Sequence, residues 1–492
     1  MPLVRSVFLG LALLAANLAS PAPAADRPNI LLILSDDHSV PHVGCYGNPD
    51  LRTPNLDGLA AAGMRMDRTY VASPQCVPSR AAIMTGRSPV RIAMTRFTAP
   101  LPADVITYPE ILRARGYFTG VAGRSYHLDG GDRSEEARAI LEKHDLRTFA
   151  KRLDFVKTTE KGEYLAQFRE FLEAVPAGKP FFLQLCSNDP HRPLDVDAVP
   201  NPPDPSKLTL PAHYPDTPAV RADLARYYGE IERFDKFAGE VLAELEKRGL
   251  TGKTLVAFMG DNGASQFRGK GTLYEYGIHV PLIVRWPGVV KPGSTGGVLI
   301  SGEDLAPTFL EAAGESPPTE MTGRSFLKLL RGEPFEARER IFAERGAHGS
   351  GLPGDGSSFD LARCVVTKRH KLIYNAIPQK PYVPVDFEGD AFWKELREMN
   401  AAGKLSPELS RVYFSPKRPV FELYDLQADP REFDNLAGKP KAAEIEHELK
   451  VALQEWMVLE RDYLPLPIPH DEKQANSEEN AKKERRAGKG KQ

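Results

Sequence analysis

The chain has 492 residues, 41% hydrophobic and 26% charged, with four cysteines and a formal net charge of -2. That near-neutral balance argues against a dedicated nucleic-acid binder, and four cysteines over this length do not make a disulfide framework. The length suits two packed units better than one.

The first segment reads as an export leader: Arg5, an apolar run from Val7 to Leu18, and a small-residue site at Ala22-Pro23-Ala24. Cleavage is expected before Ala25, leaving a soluble protein exported to a periplasm or secreted. The apolar run is too short to span a bilayer comfortably, and no other long one follows, so no stable membrane insertion is expected. No cysteine follows the run that could take a lipid anchor.

Asn29 to Ser35 contains Ile-Leu-Leu-Ile-Leu, a strand apolar on both faces that ends at Asp36-Asp37. After a helical stretch from Asn55 to Gly63 comes Ser73-Pro74-Gln75-Cys76-Val77-Pro78-Ser79-Arg80. It sets a potentially nucleophilic sulfur beside a proline that fixes the backbone, with a permanent cation four residues on. Most lone cysteines are simply buried. Tyr108 to Gly116 is helical in pattern, and Gly116-Tyr117-Phe118-Thr119 opens a strand that leads to Gly123-Arg124-Ser125-Tyr126-His127. Pro180 to Ser187 and Thr254 to Met259 repeat the apolar strand, followed by Asp189-Pro190-His191-Arg192-Pro193 and by Asp261-Asn262-Gly263. A long helix is expected over Arg221 to Arg248. Cys186 lies within an apolar strand and reads as core, so no essential disulfide is expected, although export would permit one.

Such strands alternating with helices predict an α/β fold, a mostly parallel sheet sandwiched by helices. In such sheets function gathers at the carboxyl ends of the strands. Beyond the turn-rich Gly314 to Glu320 the pattern changes. Arg340 to Glu344, Ala362 to Val366, His370 to Asn375 and Phe421 to Asp425 read as short strands, and Ala442 to Met457 as an amphipathic helix. They predict a smaller C-terminal antiparallel sheet with a helix. Ser350 to Asp360 and the proline-rich Ile377 to Asp386 are long loops suited to border a cleft. Lys473 to Gln492 cannot bury enough surface to order itself and reads as a solvated tail. The expected organisation is a leader over 1–24, an α/β unit over 25–335, an α+β unit over 336–470 and a charged tail over 471–492.

Asp36-Asp37 and Asp261-Asn262 both follow core strands. Alone, an Asp-Asp pair is most often a cap and Asp-Asn-Gly a turn. Emerging together at one sheet edge, their charges would repel unless a cation joined them. Three carboxylates and an amide oxygen are hard ligands, suited to calcium or magnesium and poorly suited to zinc.

Cys76 to Arg80 resembles the Cys-x-Pro-Ser-Arg signature of the type I sulfatases, whose cysteine is oxidised after translation to formylglycine. The family's extension follows in Ala81-Ala82-Ile83-Met84-Thr85-Gly86-Arg87. Asp189-Pro190-His191-Arg192-Pro193 is similar to the family's Pro-His-x-Pro segment, and Arg268-Gly269-Lys270-Gly271-Thr272-Leu273-Tyr274-Glu275 to its lysine-bearing stretch. Where the family has Gly-Lys-Trp-His, this chain has Gly123 to His127, with arginine for lysine and one extra residue. Tyr214 to Ala225, Arg369 to Asn375, and Glu422-Leu423-Tyr424-Asp425 with Asp429-Pro430 look most like the sulfamidase (heparan N-sulfatase) branch. Sulfamidases tend to have arginine at the Lys270 position, so N-sulfated and O-sulfated sugars both stay open.

The resemblance implies an alkaline-phosphatase-like fold and a metal set of Asp36, Asp37, Asp261, Asn262 and the oxygen made from Cys76, with calcium the usual ion and magnesium second. It implies a hydrated aldehyde at position 76, one hydroxyl attacking sulfur and the other expelling sulfate. Arg80 favours the oxyanion, His191 protonates the departing atom, and His127 is a further catalytic candidate. Arg124, His191 and Lys270 would hold the substrate, with the loops around His348 and Tyr382 supplying the far wall from the second unit. The partners implied are a sulfated saccharide and a formylglycine-generating or anaerobic maturation enzyme. A phosphonate or phosphate monoester hydrolase of the same fold, or a non-catalytic glycan-binding homologue, are the alternatives.

Overall fold

The computed structural model describes residues 27–124, 126–130, 134–159, 162–348 and 359–468. The expected leader, the tail, Ser125 and most of the loop from Ser350 lie outside the described residues. None of the described helices is long and apolar enough to cross a membrane.

Among the described residues the strands are β1 (Asn29–Ser35), β2 (Met64–Met66), β3 (Thr69–Tyr70), β4 (Phe118–Gly123), β5 (Phe155–Val156), β6 (Phe181–Cys186) and β7 (Thr254–Gly260). They continue as β8 (Leu282–Arg285), β9 (Ser294–Gly296), β10 (Ile300–Ser301), β11 (Ile341–Arg345), β12 (Ala362–Val366), β13 (His370–Asn375) and β14 (Phe421–Asp425). The large sheet has eight strands in the order β5-β4-β6-β1-β7-β8-β2-β9. The run from β5 to β7 is parallel throughout, and β8 pairs antiparallel with β7 and β2. β10 and β3 form a short parallel pair, while β11 to β14 make a separate antiparallel sheet. The α/β architecture with a smaller C-terminal sheet is the one the sequence predicts.

Alternate residues of β1 enter two different cores. Ile30, Leu32 and Leu34 face the helices Cys76–Thr85, Tyr108–Ala114 and Leu305–Ala312. Leu31 and Ile33 face Phe234, Ala238 and Val241 of the helix Pro218–Lys247. This two-sided burial is why β1 reads as an unbroken apolar run. Each fully buried Leu or Ile contributes about 1.5–3 kcal/mol. The long helix starts before the expected Arg221: Thr217 accepts a hydrogen bond from the Val220 N–H, and Pro218 occupies the first turn, where its missing N–H costs nothing.

The four-stranded sheet packs the helix Ala443–Leu459 through Leu449, Leu453 and Met457. It docks on the large unit through a Glu344 N–H to Ala72 O bond of 2.9 Å, and Lys371 of β13 reaches Glu275 at 2.8 Å. Two helices between β13 and β14, Ala391–Ala401 and Pro407–Phe414, were not anticipated from the sequence. Their Phe392, Trp393 and Tyr413 join Tyr214, Tyr227 and Phe267 in one aromatic-rich core.

Candidate active site

Strand register delivers the chemistry to one edge. Leu34 pairs with Cys186, Ser35 with Gly260 and Gly123 with Cys186, so Asp36, Ser187, Asp261 and Arg124 leave the sheet side by side. Gly123 makes the approach possible. At φ +79° any Cβ there would lie 1.8 Å from the Cys186 carbonyl oxygen, so only glycine lets β4 turn against β6.

Cys76 opens the helix Cys76–Thr85, whose ten residues are all buried, and Arg80 lies one turn further along the same face. Pro78 sits in the first turn, where its N–H would have no helical partner anyway. The Cys76 thiol donates to Asp36 Oδ1 at 3.3 Å and lies 3.9 Å from Asp37 Oδ1. Burial first, then the Asp36 carboxylate, pushes this thiol well above its ordinary range. As an unmodified side chain it is a poor nucleophile.

Arg80 is fully engaged. Its Nε donates to Asp261 Oδ2 at 2.8 Å, Nη2 to Asp36 Oδ2 at 3.1 Å, and Nη1 to the Arg124 carbonyl and Cys186 Sγ, both at 3.2 Å. It braces two carboxylates from neighbouring strands. Ligand atoms of Asp36, Asp37, Cys76 and His191 all lie within 4.8 Å of one another. Asp261 joins through its Oδ1, which accepts from the Asp37 N–H at 3.0 Å and the Asn262 N–H at 2.7 Å. Asn262 Nδ2 donates to Asp37 Oδ1 at 2.8 Å, and the buried Asn262 Oδ1 has no hydrogen-bond partner among the described residues.

Burial opposes ionisation of Asp36, but Arg124, His191 and Arg80 outweigh it and hold that carboxyl well down. Asp37 and Asp261 are pushed up, by burial first and then by neighbouring carboxylates that Lys270 and Arg80 only partly offset. Crowded buried carboxylates, with an orphaned amide oxygen on the residue next to Asp261, are what a hard divalent cation would relieve. The residues present fit such an ion.

A ring of cations and imidazoles surrounds this cluster. Arg124 lies 3.1 Å from Asp36 Oδ2 and donates to Asn188 Oδ1 at 2.5 Å, to His127 Nε2 at 3.3 Å and to His191 Nε2 at 3.3 Å. Lys270 Nζ contacts Asp37 at 3.0 Å and Asp386 Oδ2 at 2.6 Å. His191 donates from Nδ1 to the Arg192 carbonyl, so Nε2 is an acceptor facing the site. Burial, then Lys270 and Arg124, lowers His191 to about 3, and His127 is likewise pulled well down by burial and Arg124. Both are neutral at rest. His348 reaches the group through Asp386 at 3.5 Å and through Phe97, whose ring packs against both His348 and His127.

Every site residue predicted from the sequence therefore falls in one cluster, including Arg124 and His127 on the segment that departs from the usual spacing. Three participants were not anticipated. Asn188 holds Arg124. Arg233 grips both oxygens of Asp189 at 2.8 and 2.5 Å, fixing the turn that carries His191. Asp386 comes from the proline-rich loop that was expected only to border the cleft. Its signal was a lone carboxylate, indistinguishable from any loop acid until the chain folds. The cleft itself, about 610 Å³, is lined by His191, Arg192, Ala222, Arg226, Asp386 and Phe392, among others.

The family profile described as Sulfatase matches residues 28–315, and the profile described as N-sulphoglucosamine sulphohydrolase, C-terminal, matches residues 263–401. An ulvan-active sulfatase of Formosa agariphila is 30% identical over 460 residues, 89% of this chain and 82% of the relative. The human N-sulphoglucosamine sulphohydrolase is 29% identical over 482 residues, 87% of this chain and 90% of the relative. Two solved structures share the fold. One, in complex with its substrate D-glucosamine-2-N,6-O-disulfate, has a TM-score of 0.66 at 21% identity, covering 90% of this chain and 100% of its own. The other, the phosphonate monoester hydrolase of Silicibacter pomeroyi, has a TM-score of 0.65 at 22% identity, covering 89% and 93%. With the Cys76 helix at the head of a buried carboxylate cluster and these matches along its length, the chain belongs to the sulfatase family, near the N-sulphoglucosamine sulphohydrolases.

Proposed function

We propose that this sulfatase removes sulfate, as an ester or a sulfamate, from the non-reducing end of short sulfated saccharides. It would act through formylglycine made from Cys76 by a maturation enzyme and through a divalent cation, calcium ahead of magnesium. The observation that carries this reading is the Cys76 sulfur 3.3 Å from Asp36, at the centre of buried carboxylates ringed by Arg80, Arg124 and Lys270. Such a site suits a tetrahedral oxyanion next to a hard cation.

Asp36, Asp37, Asp261, Asn262 and position 76 would hold the ion. When bound, it would polarise the sulfate oxygens and lower the pKa of the attacking hydroxyl. Arg80 keeps Asp36 and Asp261 in place through its Nε and Nη2 donors. Arg124 and Lys270 take the sulfate oxygens as charge builds on them. His191, anchored at Nδ1 by the Arg192 carbonyl, presents Nε2 to the departing oxygen or nitrogen. Nε2, unprotonated at rest, takes up a proton from solvent more readily once the sulfate's negative charge has arrived, and then passes it to the departing atom. His127 steadies Arg124 at 3.3 Å, and His348 closes the far side through Asp386.

The same reading divides the chain into a catalytic unit over 25–335 and a smaller unit over 336–470, supported by the change from the large sheet to the antiparallel one at Ile341. The leader features of residues 1–24 support export.

The test is a panel with the matured protein: N-sulfated, 6-O-sulfated and desulfated disaccharides, with an aryl phosphonate as control. Sulfate release is expected from non-reducing ends, N-sulfate ahead of O-sulfate by a small margin. Turnover of the phosphonate alone would move the chain to the other chemistry its fold supports, and a preference for internal sulfates would refute the pocket.

A further inference from the structure

Asp386 stands where a carboxylate ought to be unwelcome. Lys270, a cation suited to a substrate's negative oxygens, has this acid 2.6 Å from its Nζ. The same carboxylate lies 3.7 Å from His191 Nε2 and 3.5 Å from His348 Nε2. An acid beside an anion-binding cation weakens anion binding unless it has its own business with the ligand.

Its placement is held from both sides. Val385 is buried, its carbonyl accepts from Ser265 Oγ at 3.2 Å, and its side chain fills the space over Gly271, where a Cβ would come within 2.3 Å of Val385 Cγ2. Phe387 is buried against Phe392 at a ring separation of 5.3 Å and lies under the Arg192 guanidinium at 5.7 Å. Between these anchors Asp386 adopts φ +69°, a left-handed conformation that non-glycine residues seldom take and that gathers at functional sites. The carboxylate is thus pre-positioned, and it is not a chance surface acid.

Asp386 also lines the cleft of about 610 Å³ that runs outward from His191 along Ala219, Ala222, Asp223 and Arg226 of the helix Pro218–Lys247. It touches the anion-binding groups Lys270 and His191 and also lines the space where the rest of a substrate would lie. The other acids of that cleft, Asp223 and Asp390, are both tied to Arg192, at 2.9 and 2.7 Å. Asp386 is tied to Lys270 but keeps about a quarter of its side chain exposed (26%) toward the cleft. An ionised carboxylate only accepts hydrogen bonds, and the groups on a sugar that donate them are hydroxyls and a sulfamate or amine N–H.

We propose that Asp386 is a specificity-determining residue that accepts hydrogen bonds from donor groups of the sugar bearing the scissile sulfate, so that the enzyme distinguishes a sulfated sugar from a sulfate ester with no such donors. The assignment rests on the sulfatase reading above. The competing role is purely structural, neutralising Lys270 in the resting protein, and it makes a different prediction. A structural Asp386 would serve every sulfate substrate alike. A sugar-reading one serves only substrates with donors to offer, and imposes repulsion on the others.

The experiment compares the matured, metal-loaded wild type with Asp386→Asn and Asp386→Ala, each first checked for an unchanged melting midpoint. The substrates are a sulfated glucosamine, its mono-deoxy analogues and an aryl sulfate. The ratio of kcat/KM for the saccharide to that for the aryl sulfate should fall by about 100-fold in Asp386→Ala, the discrimination that hydrogen bonds to a charged group supply. One deoxy sugar should lose about as much with wild type and lose little more with the variant. A parallel fall on both substrates, with the ratio kept, would overturn the assignment. Hydrolysis of neither by wild type would instead sink the sulfatase reading. Calorimetric binding of the sulfated glucosamine to wild type and Asp386→Ala decides the assignment in that event, equal affinities overturning it and weaker binding by the variant supporting it.

Discussion

The small sheet holds buried pairs of opposite charge. Arg363 forks onto Asp462, with Nη2 to Oδ1 at 2.9 Å and both side chains fully buried, and Lys371 lies between Glu275 and Glu432 at 2.8 and 2.9 Å. At the edge of the large sheet the arrangement is different. Asp36, Asp37 and Asp261 crowd around a cysteine, Asn262 Oδ1 is unpartnered among the described residues, and Asp37 and Asp261 are pushed up by burial and by the Asp36 carboxylate. Both regions sequester ions, yet the sheet edge gathers three carboxylates around one cysteine. Buried pairs of opposite sign are architecture, whereas a buried set of like sign reserves a place for chemistry. Mutation should separate the two regions cleanly.

The largest effect is expected at Cys76. Cys76→Ala should lower sulfate release by about four orders of magnitude or more, because a nucleophile is not replaced by its neighbours. Its melting midpoint should stay within a few degrees of wild type, since the change deletes one atom from a helix otherwise intact. Chelation comes next. Removing divalent ions should abolish turnover, calcium or magnesium should restore it, and Asp261→Ala should cost far more activity than stability. Restoration by zinc alone would show the ligand set to be wrongly assigned.

The small sheet should behave the opposite way. Arg363→Met leaves Asp462 buried without its cation, so a loss of about 3–5 kcal/mol of stability is expected in chemical denaturation. Turnover per folded molecule should be kept. A variant that stayed stable but lost kcat would erase the distinction between the regions.

The smallest effect concerns pH. Burial, only partly offset by Arg363 at 4.0 Å, raises Glu344 from 4.5 to about 7 in the fold. A carboxyl whose pKa is raised on folding binds its proton more tightly in the native state. Its contribution is therefore fully present below about 4.5 and is lost as pH rises through about 7. Glu344→Gln should flatten that part of the curve of melting midpoint against pH between pH 5 and 8. An unchanged slope would mean that Glu344 titrates normally.

Much of this was legible in the sequence, for identifiable reasons. The apolar runs of β1, β6 and β7 are buried on both faces, so their composition alone marks a central parallel sheet, and the polar residues after them mark its active edge. β12, β13 and β14 were placed to the residue because their ends carry turn signals. The helix Ala391–Ala401 is masked in the sequence although Phe392, Trp393 and Leu396 have helical spacing, because it follows directly on a proline-rich loop. Asp386 was illegible for a deeper reason. What distinguishes it is a contact with Lys270 more than a hundred residues away, and only the folded chain creates that contact. Arg80 was expected to stabilise an oxyanion, and its carboxylate partners became visible only when β1 and β7 were set side by side by their register.

The central claim, that Cys76 is the seat of the chemistry once converted to formylglycine, has one direct measurement. Preparations matured to different extents should be compared, with the fraction of the Cys76 peptide carrying the aldehyde read by mass spectrometry and sulfate release measured on the same samples. Turnover should rise in proportion to that fraction, on a line through the origin. Full turnover in a preparation whose Cys76 is entirely thiol would contradict the account.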